Sequence, residues 1–442
     1  MTRIDKKGKG KLKMKAKNKV LAIVLSFVMM LAMIPAEAFA TGATTSGKLI
    51  ISDKTYEVAP GVKEREYITN NKELSAQQMG HILEVELGDD AQIITGYNDY
   101  NIESIKSGKS WGLRKTTEQA QRIETVRKVN VVGAVNGDFF DMSNGKPLGT
   151  LVMNGTVVQK GARPCFYVDK DNVAHIADTA ENIPAGTKEA IGGAYILIRN
   201  GQVVNTGDTT TNPRTAVGIK ADGKVVLYMV DGRQAPLSVG MTGQELAQTM
   251  LDLGCVEALN LDGGGSSTFA TQRAGDVIEN NNQTAGLTLR CSPSDGYERT
   301  VSSSLMVIST AVSDNKFDHA VISPKQEVYT PGSKVQFTAQ GADKSGANVP
   351  LPDTGLTWEI SGNTAIGTIN AETGEFTGKE DQTGTATVVL KYNGKTVGQT
   401  SVELQWPDKL EFTNSSVSLD FGEKSDLTFA PTWQGRKVNY KD

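Results

Sequence analysis

The stretch LNLDGGGSST, residues 259–268, sets a carboxylate at the end of an apolar run and then strips the side chains from the next three positions. Gly263, Gly264 and Gly265 permit positive φ and let a ligand approach the backbone closely. Successive free N–H groups in such a turn form a concave anion site, and Ser266 and Ser267 add hydroxyl donors. Asp262 stands beside that loop as a candidate nucleophile or general base. The structural alternative is a tight strand-to-strand turn with Asp262 as its Asx residue.

Three further stretches put polar groups at or just past a strand end, where sites tend to collect. They are Asn136 and Asp138 in NGDFFD, Arg214 in NPRTAVGI, and Asp231 and Arg233 in VDGRQ. With Glu245, the aspartates Asp138, Asp231 and Asp262 make up the candidate catalytic carboxylates. Glu245 also falls third after Thr242 ahead of an apolar helix, the spacing of a capping box, which would hold its carboxylate on the Thr242 N–H. Arg214 and Arg233 could each pair with an aspartate or hold an anion.

No cofactor is expected. A divalent cation could sit among Asp138, Asp231 and Asp262, although nothing in their spacing demands one. The chain has neither CxxC nor HExxH, and its three histidines, His81, His175 and His319, are scattered. That pattern disfavours a zinc enzyme. It also disfavours a serine hydrolase acting through Ser266 or Ser267, which would need a nearby base. Cys165, Cys255 and Cys291 are odd in number and widely spaced, so they form no disulfide framework.

These residues need elements to position them. Met79 to Tyr97 alternates as strand, and Val129 to Val135 is an apolar strand leading into NGDFFD. Thr116 to Val126 reads as a helix with Ala120, Ile123 and Val126 on one face. Residues 216–233 read as a hairpin turning at Ala221 to Lys224. A helix then follows, capped by Thr242, with Leu246, Met250 and Leu253 on its apolar face and Gly254 closing it. The expected fold over 75–312 is α+β, a strand-rich mixed sheet with flanking helices.

The ends of the chain differ in texture. Residues 1–40 carry eight lysines between positions 6 and 19, an apolar run from Val20 to Ile34, and then Ala38-Phe39-Ala40. This order reads as a secretory signal peptide, since the run of about fifteen residues is short of the roughly 20 that a spanning helix needs. Its removal leaves 37 basic and 48 acidic residues, a net of −11 against −4 for the whole chain. Such an acidic balance argues against a nucleic-acid partner. Residues 41–74 read as a leader or an early strand. From 315 to 405, short alternating strands separated by Gly, Asn and Asp turns indicate a C-terminal all-β sandwich with Trp358 in its core, similar to bacterial immunoglobulin-like domains. Residues 406–442 restart the pattern as a partial second repeat, since roughly 35 residues are too few for a sandwich. The expected setting is the exterior or surface of a bacterium, with the sandwich modules in contact with wall or other surface components.

Four motifs taken in order, NGDFFD…GKPLGTLVMNG, PRTAVGI, DGRQ…SVGMTGQELAQTMLDLGCVEALNLDGGGSSTF and RTVSSSLMV, resemble the phosphodiester glycosidase family over roughly residues 80–310. Cys255 stands where a small alanine-like residue is expected. The resemblance implies hydrolysis of the bond between an anomeric carbon and a phosphodiester oxygen, giving a free sugar and a phosphomonoester. A phosphate leaving group needs charge stabilisation more than protonation, so Arg214 and Arg233 become candidates for the phosphate. An oxocarbenium-like centre needs a carboxylate, Asp262 or Asp138, and Asn136 and Asn260 would bind sugar hydroxyls. The substrate would be a sugar phosphodiester or a wall glycopolymer. The competing reading is a carbohydrate- or wall-binding surface protein that kept the fold without the catalysis.

Overall fold

A computed structural model describes residues 48–71, 76–98, 100–106, 111–276, 286–412 and 429–440, all within one compact unit. The basic and apolar segment read as a secretory signal, 1–40, lies outside the described residues. The first sheet runs in the order β1 (Leu49–Ala59), β2 (Val62–Asn71), β3 (Ala76–Val85), β15 (Val225–Val230), β14 (Arg214–Lys220), β16 (Cys255–Asn260), β12 (Ile196–Arg199) and β13 (Gln202–Val203). A second sheet runs β18 (Thr288–Leu289), β17 (Phe269–Thr271), β6 (Asn130–Asn136), β20 (Ser303–Ser309) and β4 (Ala91–Tyr97). A third joins β10 (Ala174–Ala177), β9 (Cys165–Val168), β11 (Glu189–Gly192), β7 (Leu151–Met153) and β8 (Thr156–Gln159), while β5 (Arg114–Lys115) pairs with β19 (Thr300–Val301).

Burial explains why these segments become strands. Leu83, Val217, Leu227 and Leu259 of the first sheet meet Val135, Phe269, Leu305 and Val307 of the second in one buried cluster. On the outer face of the first sheet, Ala216, Val226 and Tyr228 pack under Leu246, Ala247 and Met250 of the helix Gly243–Asp252. On the outer face of the second, Ile94, Ala134, Met306 and Ile308 pack under Ala120 and Ile123 of the helix Thr116–Arg127. The layers are thus helix, sheet, sheet, helix. Both faces of β15 are covered, so its sequence Val225-Val226-Leu227-Tyr228-Met229-Val230 carries no polar alternation. Each large side chain buried there contributes about 2 kcal/mol.

The mixed sheet expected from sequence is corrected, because every pairing among β1–β20 is antiparallel. The helix Gly243–Asp252 does carry the chain from β15 to a strand running the same way. That strand, β16, lands beyond β14 and pairs antiparallel to it. A crossover that would make parallel neighbours here skips one position. As a result β15 and β16 end on the same edge of the sheet where β14 begins.

Residues 49–71, within the expected leader, supply β1 and β2, and β2 pairs with β3 over ten positions. Beyond residue 318 the strands Leu356–Gly362, Gly384–Tyr392 and Lys395–Leu404 pair in order and pack with Phe337 and Phe376 around buried Trp358. The segment 406–442 includes residues outside those described. Its described strands, Lys409–Phe412, Phe429–Trp433 and Arg436–Asn439, extend that same sheet through a parallel pairing of Arg436–Asn439 with Glu327–Tyr329.

One buried pair fastens β2 to the second sheet. Glu64, fully buried, accepts from Arg273 Nε at 3.0 Å and Nη2 at 2.6 Å, and from the Thr271 hydroxyl. Removing one partner of such a pair strands the other, so Glu64→Ala is expected to cost about 3 kcal/mol. Denaturant unfolding checks this, and a loss below about 1 kcal/mol would show that the pair does not fasten the hairpin.

Candidate active site

The glycine loop crosses from the end of β16 in the first sheet to the start of β17 in the second. Its path is fixed by the chain itself. Asp262 N–H donates to Gly137 O at 2.9 Å, and Asn136 Nδ2 donates to Asp262 O at 2.8 Å. Asn136 Oδ1 accepts from Thr268 N–H at 3.0 Å and from the Thr215 hydroxyl at 2.7 Å. Both polar ends of this fully buried amide are therefore committed to holding the loop between the two sheet edges.

The three glycines are bare because their surroundings leave no room. A Cβ on Gly263 would lie 2.8 Å from Pro213 O, and one on Gly264 would lie 3.1 Å from Arg233 Nη2. A Cβ on Gly265 would collide with the Arg299 guanidinium and lie 2.5 Å from Asp295 Oδ2. Gly264 also has φ +63, the left-handed region that glycine tolerates. Two guanidinium groups thus rest on successive residues of one loop, two and three positions after Asp262.

Asp262 is half-buried, and its Oδ1 accepts from Gly263 N–H at 2.8 Å. Burial pushes its carboxyl up to about 6, while the Ser266 hydroxyl, the Gly263 N–H and the Arg299 charge pull the other way. Asp138 is almost wholly buried. Its Oδ2 accepts from Gly149 N–H at 2.6 Å, and its Oδ1 has no partner among the described residues. A Cβ on Gly149 or on Gly192 would come within 2.7 Å of Oδ2, so the carboxyl is seated in a glycine-lined pocket. Burial pushes Asp138 up to about 7; Gly149 and Arg163 oppose this and the charge of Asp262 adds to it. The two acids come from different sheets and feel each other's charge.

Other candidates occupy other surroundings. Asp231 is fully buried, its Oδ2 2.9 Å from His81 Nε2 and its Oδ1 accepting from Ser292 N–H at 2.9 Å. Both oxygens are taken, and His81 is packed against Phe269 rather than exposed. Glu245 closes the capping box: its Oε2 accepts from Thr242 N–H at 2.9 Å while Thr242 Oγ1 accepts from Glu245 N–H at 3.1 Å. Arg214 shares the outer face of β14 with Ala216. Its Nε donates to Met241 O at 2.9 Å, its Nη1 to Asp208 at 2.7 Å, and its Nη2 to Thr210 O. Asn260 is buried at the end of β16, with Nδ2 on Leu261 O and Oδ1 without a partner among the described residues. Ser266 and Ser267 are buried, and no histidine is hydrogen-bonded to either among the described residues. No group of three or more His, Cys, Asp or Glu side chains among the described residues is arranged to hold a metal ion. Cys255 is buried under the helix Gly243–Asp252, as core.

Arg233 is exposed, and among the described residues its guanidinium is hydrogen-bonded to the neutral Asn212 Oδ1, at 3.2 and 2.8 Å. Arg163 faces the Phe139 ring at 5.9 Å, and its charge reaches Asp138. Arg163, Arg299 and Asp295 were missed as site residues. Arg299 opens the motif RTVSSSLMV, directly before β19 and β20, and only the antiparallel pairing of β20 with β6 reveals that it arrives at the Asn136 edge.

Residues 129–308 match the phosphodiester glycosidase family, and the chain carries a domain of that family. Among curated relatives, the N-acetylglucosamine-1-phosphodiester alpha-N-acetylglucosaminidase of Bos taurus is 30% identical over 171 residues, covering 33% of this chain and 32% of that protein. The Homo sapiens enzyme of the same name is 29% identical over 171 residues, with 33% of each chain covered. An uncharacterized SPbeta prophage-derived protein of Bacillus subtilis is 27% identical over 209 residues, 43% of this chain and 30% of that one. The chain spans about a third of the length of these relatives. The solved catalytic domain of the zebrafish N-acetylglucosamine-1-phosphodiester alpha-N-acetylglucosaminidase is similar at a TM-score of 0.43 and 19% identity, covering 62% of this chain and 95% of that one.

Two outcomes follow from this geometry. Glu245→Gln keeps the capping box and should cost about 1 kcal/mol or less; a thermal melt and a rate measurement check it, with the rate unchanged. Asp138 binds its proton more tightly folded than unfolded, so its contribution to stability is complete only below the free carboxyl's 3.8 and is lost progressively as pH rises from there through about 7. Asp138→Asn, always neutral, keeps that contribution. Its melting temperature relative to the parent should therefore climb between pH 5 and pH 8, and a flat difference would show that Asp138 ionises as readily folded as unfolded.

Proposed function

We propose that the chain is a secreted bacterial glycosidase that hydrolyses the sugar C1–O bond of a glycosyl-1-phosphodiester. Water supplies hydroxyl to the anomeric carbon and a proton to the departing side, giving a free sugar and a phosphomonoester. The observation that carries this reading is the half-buried carboxylate of Asp262 beside a glycine loop roofed by guanidinium groups. A carboxylate is what an oxocarbenium-like centre needs, and fixed cations are what a developing phosphate needs.

In this reading Asp262 meets the anomeric carbon, as nucleophile or as base toward water. Asp138 holds a proton near neutrality and supplies it from the unpartnered Oδ1 toward the leaving side. Neighbouring acids with separated proton affinities are the usual basis for such a division of labour. Arg233 supplies positive charge to the phosphate. Asn136 acts by holding the loop, and Asn260 supports the strand end below it. The sandwich beyond residue 318 would hold the catalytic part at a wall or other surface, and the substrate would be a small sugar phosphodiester or a wall glycopolymer.

The pH dependence tests the roles. Asp262 must be ionised and Asp138 protonated, so kcat/KM should rise through about pH 6 and fall through about pH 7, as apparent values of the pair. Asp262→Asn should lose on the order of 10² to 10⁴ in rate on a sugar-1-phosphodiester without any fall in melting temperature. Asp138→Asn should lose less, because phosphate departs without full protonation, and should lack the alkaline limb. An active, normally saturating Asp262→Asn enzyme would sink the assignment. Binding of the ester by the parent chain without turnover would favour a surface-binding module instead.

A further inference from the structure

Of the two arginines the sequence offers for the phosphate, one is spent. All three side-chain nitrogens of Arg214 are hydrogen-bonded on the outer face of β14, and the residue is buried there. An anion at the glycine loop would have to strip it from Asp208, a costly exchange for a buried pair. Arg299 is placed differently. Its Nε and Nη2 both donate to the same oxygen, Asp295 Oδ2, at 2.9 and 2.6 Å. The Arg299 side chain is a third exposed, and that pairing on one oxygen leaves the Nη1 edge outside it.

We infer that Arg233 and Arg299 together clamp the leaving phosphate over Gly264 and Gly265, and that Asp295 is an internal counter-anion displaced from Arg299 by the substrate. This rests on the glycosyl-phosphodiester reading and names the subsite within it. The two guanidiniums rest against adjacent residues of one loop, the place where a single small anion would have to meet both. Their backbone seats follow Asp262 by two and three positions, which sets the cations beside the carboxylate rather than across the sheet. Charge arithmetic also fits. A phosphodiester arrives with one negative charge and leaves as a monoester with more, so two fixed guanidiniums gain attraction as the C1–O bond breaks. Before substrate binds, Asp295 neutralises Arg299 and keeps it on Gly265; phosphate then replaces one carboxylate oxygen. Arg233, held among the described residues by a neutral amide, needs no such exchange.

The test uses the full secreted chain titrated calorimetrically with inorganic phosphate, alongside turnover of a sugar-1-phosphodiester. Arg233→Gln and Arg299→Gln should each weaken phosphate binding about tenfold or more, with Arg299→Lys intermediate because it keeps charge but not the planar fork. Asp295→Asn should bind phosphate more tightly than the parent, since the competing charge is gone. If Asp295→Asn weakens phosphate as much as Arg299→Gln does, Asp295 only orients Arg299 and the counter-anion idea falls. If both arginine variants bind phosphate like the parent while remaining folded by circular dichroism, the clamp itself falls. A parent chain that binds phosphate as described yet turns over no phosphodiester overturns the glycosidase reading and leaves the clamp standing. Normal turnover with no arginine dependence does the reverse.

Discussion

The structure turns on close approach at Gly263, Gly264 and Gly265. A backbone carbonyl, two guanidinium groups and a carboxylate lie where Cβ atoms would stand. A side chain larger than hydrogen would press on the Pro213 carbonyl at Gly263 and displace a guanidinium group at Gly264 or Gly265. The loop can be this bare only because something else defines its shape, and that is Asn136, whose amide ties Asp262, Thr215 and Thr268 together. Asn136 belongs to the second sheet and Thr215 to the first. The stacking of two sheets around Leu259, Val135 and Phe269 is therefore what brings the loop and its clamp into register.

Much of this was legible in the sequence, and the part that was not has a common cause. The strand before Asp262, the capped helix before it and the hairpin at 216–233 follow from periodicity and turn chemistry, which are local. Position at a strand end is local too, so Asp138 and Asp262 could be singled out. The face of a strand is not local. Arg214 and Thr215 are equally polar neighbours at the start of β14, yet Thr215 turns inward to Asn136 while Arg214 turns outward to Asp208. That choice is made by Ala216 and Val217, whose cores lie on opposite sides of the sheet. Asp231 is the same case at longer range, since its partner His81 lies 150 residues away on β3. The mixed-sheet expectation failed for a topological reason: a helical crossover implies a parallel strand, but not that the two become neighbours.

The acids show what the site costs the fold. Asp138 and Asp262 both hold protons more tightly than free carboxyls because burial penalises their charge. Packing alone would favour apolar residues at both positions. Asp262 recovers part of the penalty from Ser266, Gly263 and Arg299 and stays the more acidic of the pair. Asp138 has the Gly149 N–H and the more distant Arg163, and keeps its proton further toward neutrality. Two chemically identical side chains are thereby separated in behaviour by the loop geometry, not by any difference in residue type.

That separation bears on which chemistry suits the site. A glycosidase expelling a sugar alkoxide depends on a strong, well-aimed acid, because the leaving oxygen is a poor anion. Here the acid is nearly sealed from solvent and the cations are the exposed groups, with Arg233 open and Arg299 partly so. An arrangement that puts its positive charge forward and its proton donor behind matches a leaving group that is already a stable anion and needs its growing charge met from outside. The same arrangement would serve a neutral glycoside badly: such a substrate would gain nothing from Arg233 in the ground state and would depend wholly on proton transfer from the buried Asp138.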